Sequence, residues 1–263
     1  MSKQKSLCRV RESVQLAPAV FSLWLEAPDI VKHALPGQFV SLYCQEKDRL
    51  LPRPISICEL DQEAGSLRLV YRVVGAGTEE FSRLGAGDQI EVLGPLGNGF
   101  MQEGERPLLI GGGIGIPPML ELAKQFGGNA TVVLGYRDSD MFLKKEFEAY
   151  ARVVIATDDG SAGTKGTVID AIAEQKVLDD GVDVIYSCGP TPMLRGVKNF
   201  AQEHDIKAYL SMEERMACGV GACLACVCQS AEIDDHSKVK NKRVCKDGPV
   251  FLSTEVEFKQ YIM

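Results

Sequence analysis

Four of the nine cysteines in this 263-residue chain fall within eleven residues, in the run RMACGVGACLACVCQSAE from Arg215 to Glu232. Cys218, Cys223 and Cys226 are spaced C-x4-C-x2-C, and Cys245 stands alone further on. Three close thiolates and a remote fourth make the plant-type pattern that holds a [2Fe-2S] cluster. Gly219 and Gly221 suit that chemistry, because cluster sulfurs are negative and glycine lets backbone N–H groups approach them in a tight wrap. Cys228 is a surplus thiol, either a neighbour of the cluster or an alternative ligand; it reads as a neighbour, since Cys226 already completes the spacing. Structural zinc also takes four thiolates, but its sites usually pair two short knuckles, and only one short pair is present here.

Two other stretches could hold phosphate. Arg53-Pro54-Ile55-Ser56 offers a guanidinium for a pyrophosphate and a nearby hydroxyl. Some fifteen residues later, VYRVVGAGTEEFSRL runs from a strand through Gly75 and Gly77 into a helix expected to start at Thr78, with free N–H groups at the turn. Together they suggest a dinucleotide held across a strand surface, with Arg53 on its phosphate and Tyr71 or Arg72 against it; the alternative places Tyr71 in the core. Further on, IGGGIGIPPM puts Gly111, Gly112, Gly113 and Gly115 between an apolar strand and a helix, a second phosphate cradle. Pro117 and Pro118 fit that helix's first turn. Tyr186-Ser187-Cys188-Gly189-Pro190 ends a strand at the carboxyl edge, where open α/β sheets bind ligands. Cys188 is either a nicotinamide contact or a small buried side chain.

The elements that must position these groups change character along the chain. From Ser6 to about Leu96, the short runs VFSLWLEA, GQFVSLYC, PISICEL, SLRLVYRVV and DQIEVLG, broken by turn residues, predict an antiparallel β-barrel over 1–102. From Arg106 the rhythm becomes strand, glycine turn, helix, which predicts a parallel-sheet α/β domain over 103–213 with helices on both faces. The remaining 214–263, too small for a large core, is expected to be a cluster domain stapled by metal. Cys8, Cys44 and Cys58 are expected to be buried small side chains.

The balance of 29 Lys and Arg against 36 Asp and Glu gives a net charge of -7, with no basic run of the kind nucleic acid requires. Arg9, Arg11 and Glu12 interrupt any signal-peptide core, and no apolar run approaches membrane-spanning length, so a cytoplasmic location is expected. Clustered cysteines in that reducing compartment do metal or redox work rather than form disulfides.

The order of these parts resembles the ferredoxin-NADP reductase superfamily: RPIS and GAGT, then GGGIGIPPM and YSCGPTPM, then MACGVGACLACVC and KDGPVF. Within it the chain is most similar to the electron-transfer subunits of dihydroorotate dehydrogenase B. That resemblance implies FAD on the barrel, contacted by Arg53, Pro54, Ile55, Ser56, Val70, Tyr71, Arg72, Gly77 and Thr78. It implies NAD on the α/β domain, and a [2Fe-2S] cluster on Cys218, Cys223, Cys226 and Cys245. It also implies an FMN-containing dihydroorotate dehydrogenase catalytic subunit as partner, two copies of each forming a heterotetramer in pyrimidine synthesis. Electrons would pass from dihydroorotate through that partner's FMN, the cluster and FAD to NAD+. The partner's own barrel would need around 250 residues, more than this chain can spare. Ile55 departs from the aromatic residue many superfamily members carry in R-x-Y-[ST]. Two other readings use the same residues. One is the flavin and iron-sulfur subunit of an NADPH-ferredoxin oxidoreductase or sulfide dehydrogenase, in which Arg137 would meet a 2′-phosphate that the adjacent Asp138 repels. The other is a zinc-stapled interaction module without redox chemistry.

Overall fold

The computed structural model describes residues 3–46, 48–233 and 238–258. Its first layer is a closed antiparallel barrel of β1 (Gln4–Ala17), β2 (Val20–Glu26), β3 (Phe39–Tyr43), β4 (Arg53–Asp61), β5 (Ser66–Arg72) and β6 (Gln89–Leu96), in the order β1-β2-β5-β4-β3-β6. Two short helices lie between strands, α1 (Pro28–Val31) and α2 (Ala76–Ser82). Leu23, Leu25, Leu42, Ile57, Leu67, Leu69 and Val92 fill the interior at 0% exposure. The 14-residue β1 is the one barrel strand that no apolar run announces: most of its positions are exposed, and its pairing to β2 and β6 rests on main-chain bonds.

The second layer is built from β7 (Pro107–Gly112), α3 (Pro118–Phe126), β8 (Thr131–Tyr136), α4 (Lys144–Glu148), β9 (Arg152–Thr157), β10 (Thr164–Lys165), α5 (Val168–Glu174), β11 (Val184–Cys188), α6 (Thr191–Glu203) and β12 (Lys207–Ser211). The sheet runs β10-β9-β8-β7-β11-β12, all parallel. Alternation along each strand sends Leu109, Val132 and Tyr186 to a core shared with α3 and α4. Leu108, Val133 and Ile185 go to the opposite core, shared with α5 and α6. Helices therefore cover both faces, as the βα rhythm predicts.

The C-terminal segment contributes β13 (Val227–Ser230), β14 (Asn241–Arg243), β15 (Val250–Leu252) and β16 (Val256–Glu257). Of these, β13 joins β14 and β16 in a small sheet, whereas β15 pairs antiparallel with β12 and extends the parallel sheet by a seventh strand. Cys226, Cys228, Val244, Cys245 and Phe251 are buried in the same core as α6, together with Phe39 and Leu96 of the barrel. Lys198 of α6 donates to the Val256 carbonyl at 2.7 Å. Asn98, just after the barrel, donates to the Val250 carbonyl at 2.7 Å and accepts from the Val250 N–H at 2.9 Å. The described part of the segment expected at 214–263 is thus seated on both other layers.

Candidate functional site

A single cleft of about 1600 Å³ runs between the barrel and the α/β layer. Arg53, Pro54, Ile55 and Ser56 begin β4 and line it, each partly exposed. Val70, Tyr71 and Arg72 end the neighbouring β5 and also border it. The period of two decides which side chains face it: the Tyr71 ring belongs to the barrel core, stacked at 6.2 Å on Phe21 and edge-on at 6.3 Å to Phe81. Its hydroxyl is buried without a hydrogen-bond partner among the described residues, and burial holds its pKa above the ordinary phenol range.

The helix after β5 begins at Ala76, two residues earlier than the sequence suggests, because Thr78 caps from inside the first turn. Its Oγ1 accepts from the Val74 N–H at 3.0 Å and the Gly75 N–H at 3.3 Å, and donates to the Gly75 carbonyl at 2.9 Å. Gly77 leaves room for the Arg53 guanidinium: a Cβ there would lie 2.4 Å from its Nε and 2.7 Å from its Cζ. The guanidinium is laid across the first turn of α2, and its Nη1 donates to the Leu51 carbonyl. A positive fork beside open helical N–H groups is a suitable seat for a pyrophosphate.

On the facing wall, Gly111 and Gly112 end β7, and Gly113 to Gly115 form a 3-10 turn leading into α3. Gly112, Gly113 and Gly115 line the cleft. Gly113 sits at φ +53° with nothing within 4 Å of where a Cβ would be, so the main chain is bare to the cleft. Gly115 is needed for the opposite reason: a Cβ would lie 2.4 Å from the Cys188 carbonyl oxygen and 2.5 Å from the Gly189 nitrogen. The two glycine turns therefore cross in contact, as the pairing of Cys188 with Gly111 requires. Cys188, Gly189 and Pro190 complete this wall. Burial pushes the Cys188 thiol up to about 12, opposed by a hydrogen bond with Ser211.

Other lining groups carry no motif: Thr167 to Ile169 at the start of α5, Met193 of α6, Asp158 after β9, and the Met212 to Met216 strap after β12. They follow the carboxyl ends of parallel strands, the signal that could have found them. Arg137 and Asp138 line the same end.

The strap leads into the cysteine loop. Cys218 Sγ accepts from the Ala222 N–H at 3.3 Å and the Val220 N–H at 3.5 Å, and Cys226 Sγ accepts from the Cys245 N–H at 3.4 Å. Gly219 at φ +66° and Gly221 at φ +89° turn those N–H groups inward. Burial alone would raise the Cys218 pKa, but the N–H groups of Val220, Cys223 and Ala222 outweigh it and hold the thiol near 6. Burial, then the Cys226 thiol, pushes Cys245 up to about 12. The Cys223 thiol lies within hydrogen-bonding reach of Cys218, and the Cys226 thiol of Cys245, which also feels Cys218. Among the described residues no three His, Cys, Asp or Glu side chains converge on one point. Cys228 lies on β13, 5% exposed. Cys8 and Cys58 are buried as expected, but Cys44 is only half-buried at the end of β3. Among the described residues no cysteine is disulfide-bonded, and no helix is long and apolar enough to cross a membrane.

Three family models match in sequence order: an oxidoreductase FAD-binding domain over 8–100, an oxidoreductase NAD-binding domain over 109–199, and the iron-sulfur cluster binding domain of dihydroorotate dehydrogenase B over 213–257. The chain is 48% identical over 256 residues to the dihydroorotate dehydrogenase B (NAD(+)) electron transfer subunit of Listeria monocytogenes, covering 94% of this chain and 97% of that protein. It is 44% identical over 265 residues to the Geobacillus subunit, covering 97% of this chain and 99% of that one. Among solved structures it superposes on an NADH-dependent reduced ferredoxin-NADP oxidoreductase with a TM-score of 0.83 and 33% identity, over 96% of this chain and 90% of the other. A ferredoxin reductase of carbazole 1,9a-dioxygenase, 21% identical with a TM-score of 0.65 over 78% of this chain and 67% of that one, shares the fold. With FAD-binding, NAD-binding and iron-sulfur segments in this order and at these identities over nearly its full length, the chain belongs to the electron transfer subunits of dihydroorotate dehydrogenase B (NAD+).

Proposed function

We propose that the cleft seats FAD and NAD against each other and that the strap carries the cluster to its rim. The supporting observation is continuity: one cavity reaches from Arg53 and Gly77 to Gly113 and Cys188, and the residues leading into the cysteine loop line it. Arg53, Pro54, Ile55, Ser56, Val70, Arg72, Gly77 and Thr78 hold FAD, with the Arg53 guanidinium on its pyrophosphate; Tyr71 contributes main chain. Gly111, Gly112, Gly113, Gly115, Cys188, Gly189 and Pro190 hold NAD. Cys218, Cys223, Cys226 and Cys245 ligate the cluster. In this arrangement the units 1–102, 103–213 and 214–263 each carry one group. When bound, the cluster supplies one-electron transfer and FAD supplies conversion to a two-electron hydride, the chemistry NAD requires.

The chain's own part is position and surroundings. The N–H groups of Val220, Ala222 and Cys245 stabilise negative sulfur. Cys188, protonated at neutral pH, presents an uncharged surface where a nicotinamide would lie. Gly219 brings the cysteine loop onto the barrel: a Cβ there would lie 3.0 Å from Ser41 Oγ of β3, the strand whose Phe39 lines the cleft. Cluster and flavin sites thus share one strand. The partner is an FMN-containing catalytic subunit in the cytoplasm, two copies of each chain forming the complex. Cys223 and Leu224, both exposed, put the cluster's edge at the surface where that partner docks.

The chain alone should oxidise NADH with an artificial dye but leave dihydroorotate untouched. Adding the catalytic subunit should restore transfer from dihydroorotate to NAD+. Dihydroorotate oxidation by the chain alone, or full coupled transfer in an assembled complex lacking the cluster, would refute the proposal. Iron counting tests the ligands: Cys226→Ser should lose iron and Cys228→Ser should keep it.

A further inference from the structure

A charged cluster lies away from the cleft, where the barrel meets α3 and α4. Arg68, on β5, is 8% exposed and surrounded by partners. Its Nε donates to Ser22 Oγ at 2.8 Å, its Nη1 to Glu59 Oε2 at 2.8 Å and to Glu146 Oε2 of α4, and its Nη2 to Glu146 Oε1 at 3.3 Å. Glu59 Oε1 also accepts from Lys124 Nζ of α3 at 3.0 Å, and Lys124 lies 3.6 Å from Glu121 Oε2. Glu121 in turn accepts from the Leu60 N–H of β4 at 3.0 Å, a buried bond between a helix side chain of one layer and the main chain of the other.

We infer that this clamp is a positioning device that fixes the flavin wall of the cleft relative to its nicotinamide wall. Apart from Glu146 of α4, every clamp residue that crosses the boundary stands on an element that also carries a cleft motif. Strand β4 begins with Arg53 to Ser56 and continues to Glu59 and Leu60. The outward row of β5 runs Arg72, Val70, Arg68. Helix α3 starts from the glycine turn and carries Glu121 and Lys124. At ~3.3 Å per strand residue the clamp is roughly 10 Å from Ser56 and roughly 13 Å from Arg72; at 1.5 Å per helix residue it is about 9 Å from Gly115. About 5° of play at such a joint moves a wall by about 1 Å, and a misplacement of that size can cost ~100-fold in a transfer between two held reactants.

The inference rests on the assignment of FAD and NAD to the two walls. Glu121→Ala, in the full chain loaded with FAD, removes the acceptor of the Leu60 N–H. It should slow flavin reduction by NADH 10- to 100-fold in stopped flow, leave FAD content and NADH affinity unchanged, and weaken the long-wavelength absorbance of stacked flavin and nicotinamide. Glu121→Gln keeps an acceptor oxygen and should restore both rate and absorbance to within about threefold. Glu146→Gln, at a half-exposed position, should show the same signature more weakly. A wild-type rate and absorbance in Glu121→Ala would overturn the inference. So would Glu121→Gln as slow as Glu121→Ala, or slowing that tracks lost FAD. Failure of the underlying assignment reads differently: Arg53→Ala would retain FAD whatever the clamp variants do.

Discussion

Replacing Gly77 with alanine adds a methyl group 2.4 Å from Arg53 Nε, 2.7 Å from Cζ and 2.8 Å from Nη2. No carbon tolerates those distances, so one partner must move. The helix is held by Thr78 and by Phe81, 1% exposed in the barrel core, whereas the guanidinium ends a flexible side chain. Arg53 should therefore swing away, with little loss of stability and with loss of the bond proposed for it with the FAD pyrophosphate. A hydrogen bond to a charged group contributes about 1.5–3 kcal/mol, which corresponds to roughly 10- to 100-fold in the dissociation constant. Flavin fluorescence titration of the apoprotein measures this directly, and thermal unfolding of the same sample checks the fold. The mechanism also requires that Gly77→Ala act through Arg53. Arg53→Ala should weaken FAD by a similar factor, and the double variant should be no weaker than Arg53→Ala alone, a full failure of additivity. Additive losses would refute the reasoning, as would unchanged affinity in Gly77→Ala.

Gly115→Ala would force apart the two turns that cross at Cys188; it should lower NADH affinity at least tenfold and cost about 1–3 kcal/mol of stability, read by isothermal titration and urea unfolding. Asn98→Ala leaves the Val250 N–H and carbonyl without their partner; it should cost about 1–3 kcal/mol and speed proteolysis within the C-terminal segment before the barrel is cut. Burial, then the charge of Asp29, pushes the Cys8 thiol up to about 11. Because the folded state holds that proton more tightly, its contribution is complete below the ordinary thiol value near 9 and is lost as pH rises from there through about 11. Wild-type stability should therefore fall across that window more steeply than that of Cys8→Ala, as denaturant melts at pH 8 and pH 10.5 would show.

The chemistry of the chain was more legible than its joints. Cys218, Cys223 and Cys226 announce themselves because three thiols at fixed spacing have few other uses, and the glycine runs mark close approach wherever they fall. The strands β2 to β6 show as apolar runs, but β1 does not, since its long exposed course is held by backbone pairing that no residue type encodes. Tyr71 was ambiguous for a related reason: a one-residue difference in strand phase separates cleft from core, and only the register with Phe21 fixes it. Thr167, Met193 and the Met212 to Met216 strap carry no motif, and only their place after the carboxyl ends of parallel strands marks them for the cleft. The pairing of β15 with β12 was equally invisible, because a three-residue strand has no period of its own.

That last pairing ties iron supply to the integrity of the whole molecule. The strand beside β12 lies only five residues beyond Cys245, on a stretch whose path is set by the cysteine loop, with the Met212 N–H bonded to the Pro249 carbonyl at 2.8 Å. A chain made without iron would lose one hold on β15 and leave it to Asn98 and the buried Phe251; where these give way, β12 becomes an uncovered, apolar sheet edge, the feature through which chains aggregate. Iron starvation should then remove the subunit rather than leave an NADH oxidase idling without its outlet. Hydrogen exchange at Tyr209 and Leu210 in cluster-free protein measures this: fast exchange with FAD still bound is the expected result, and protection equal to that of the loaded protein would show the sheet to be indifferent to the metal.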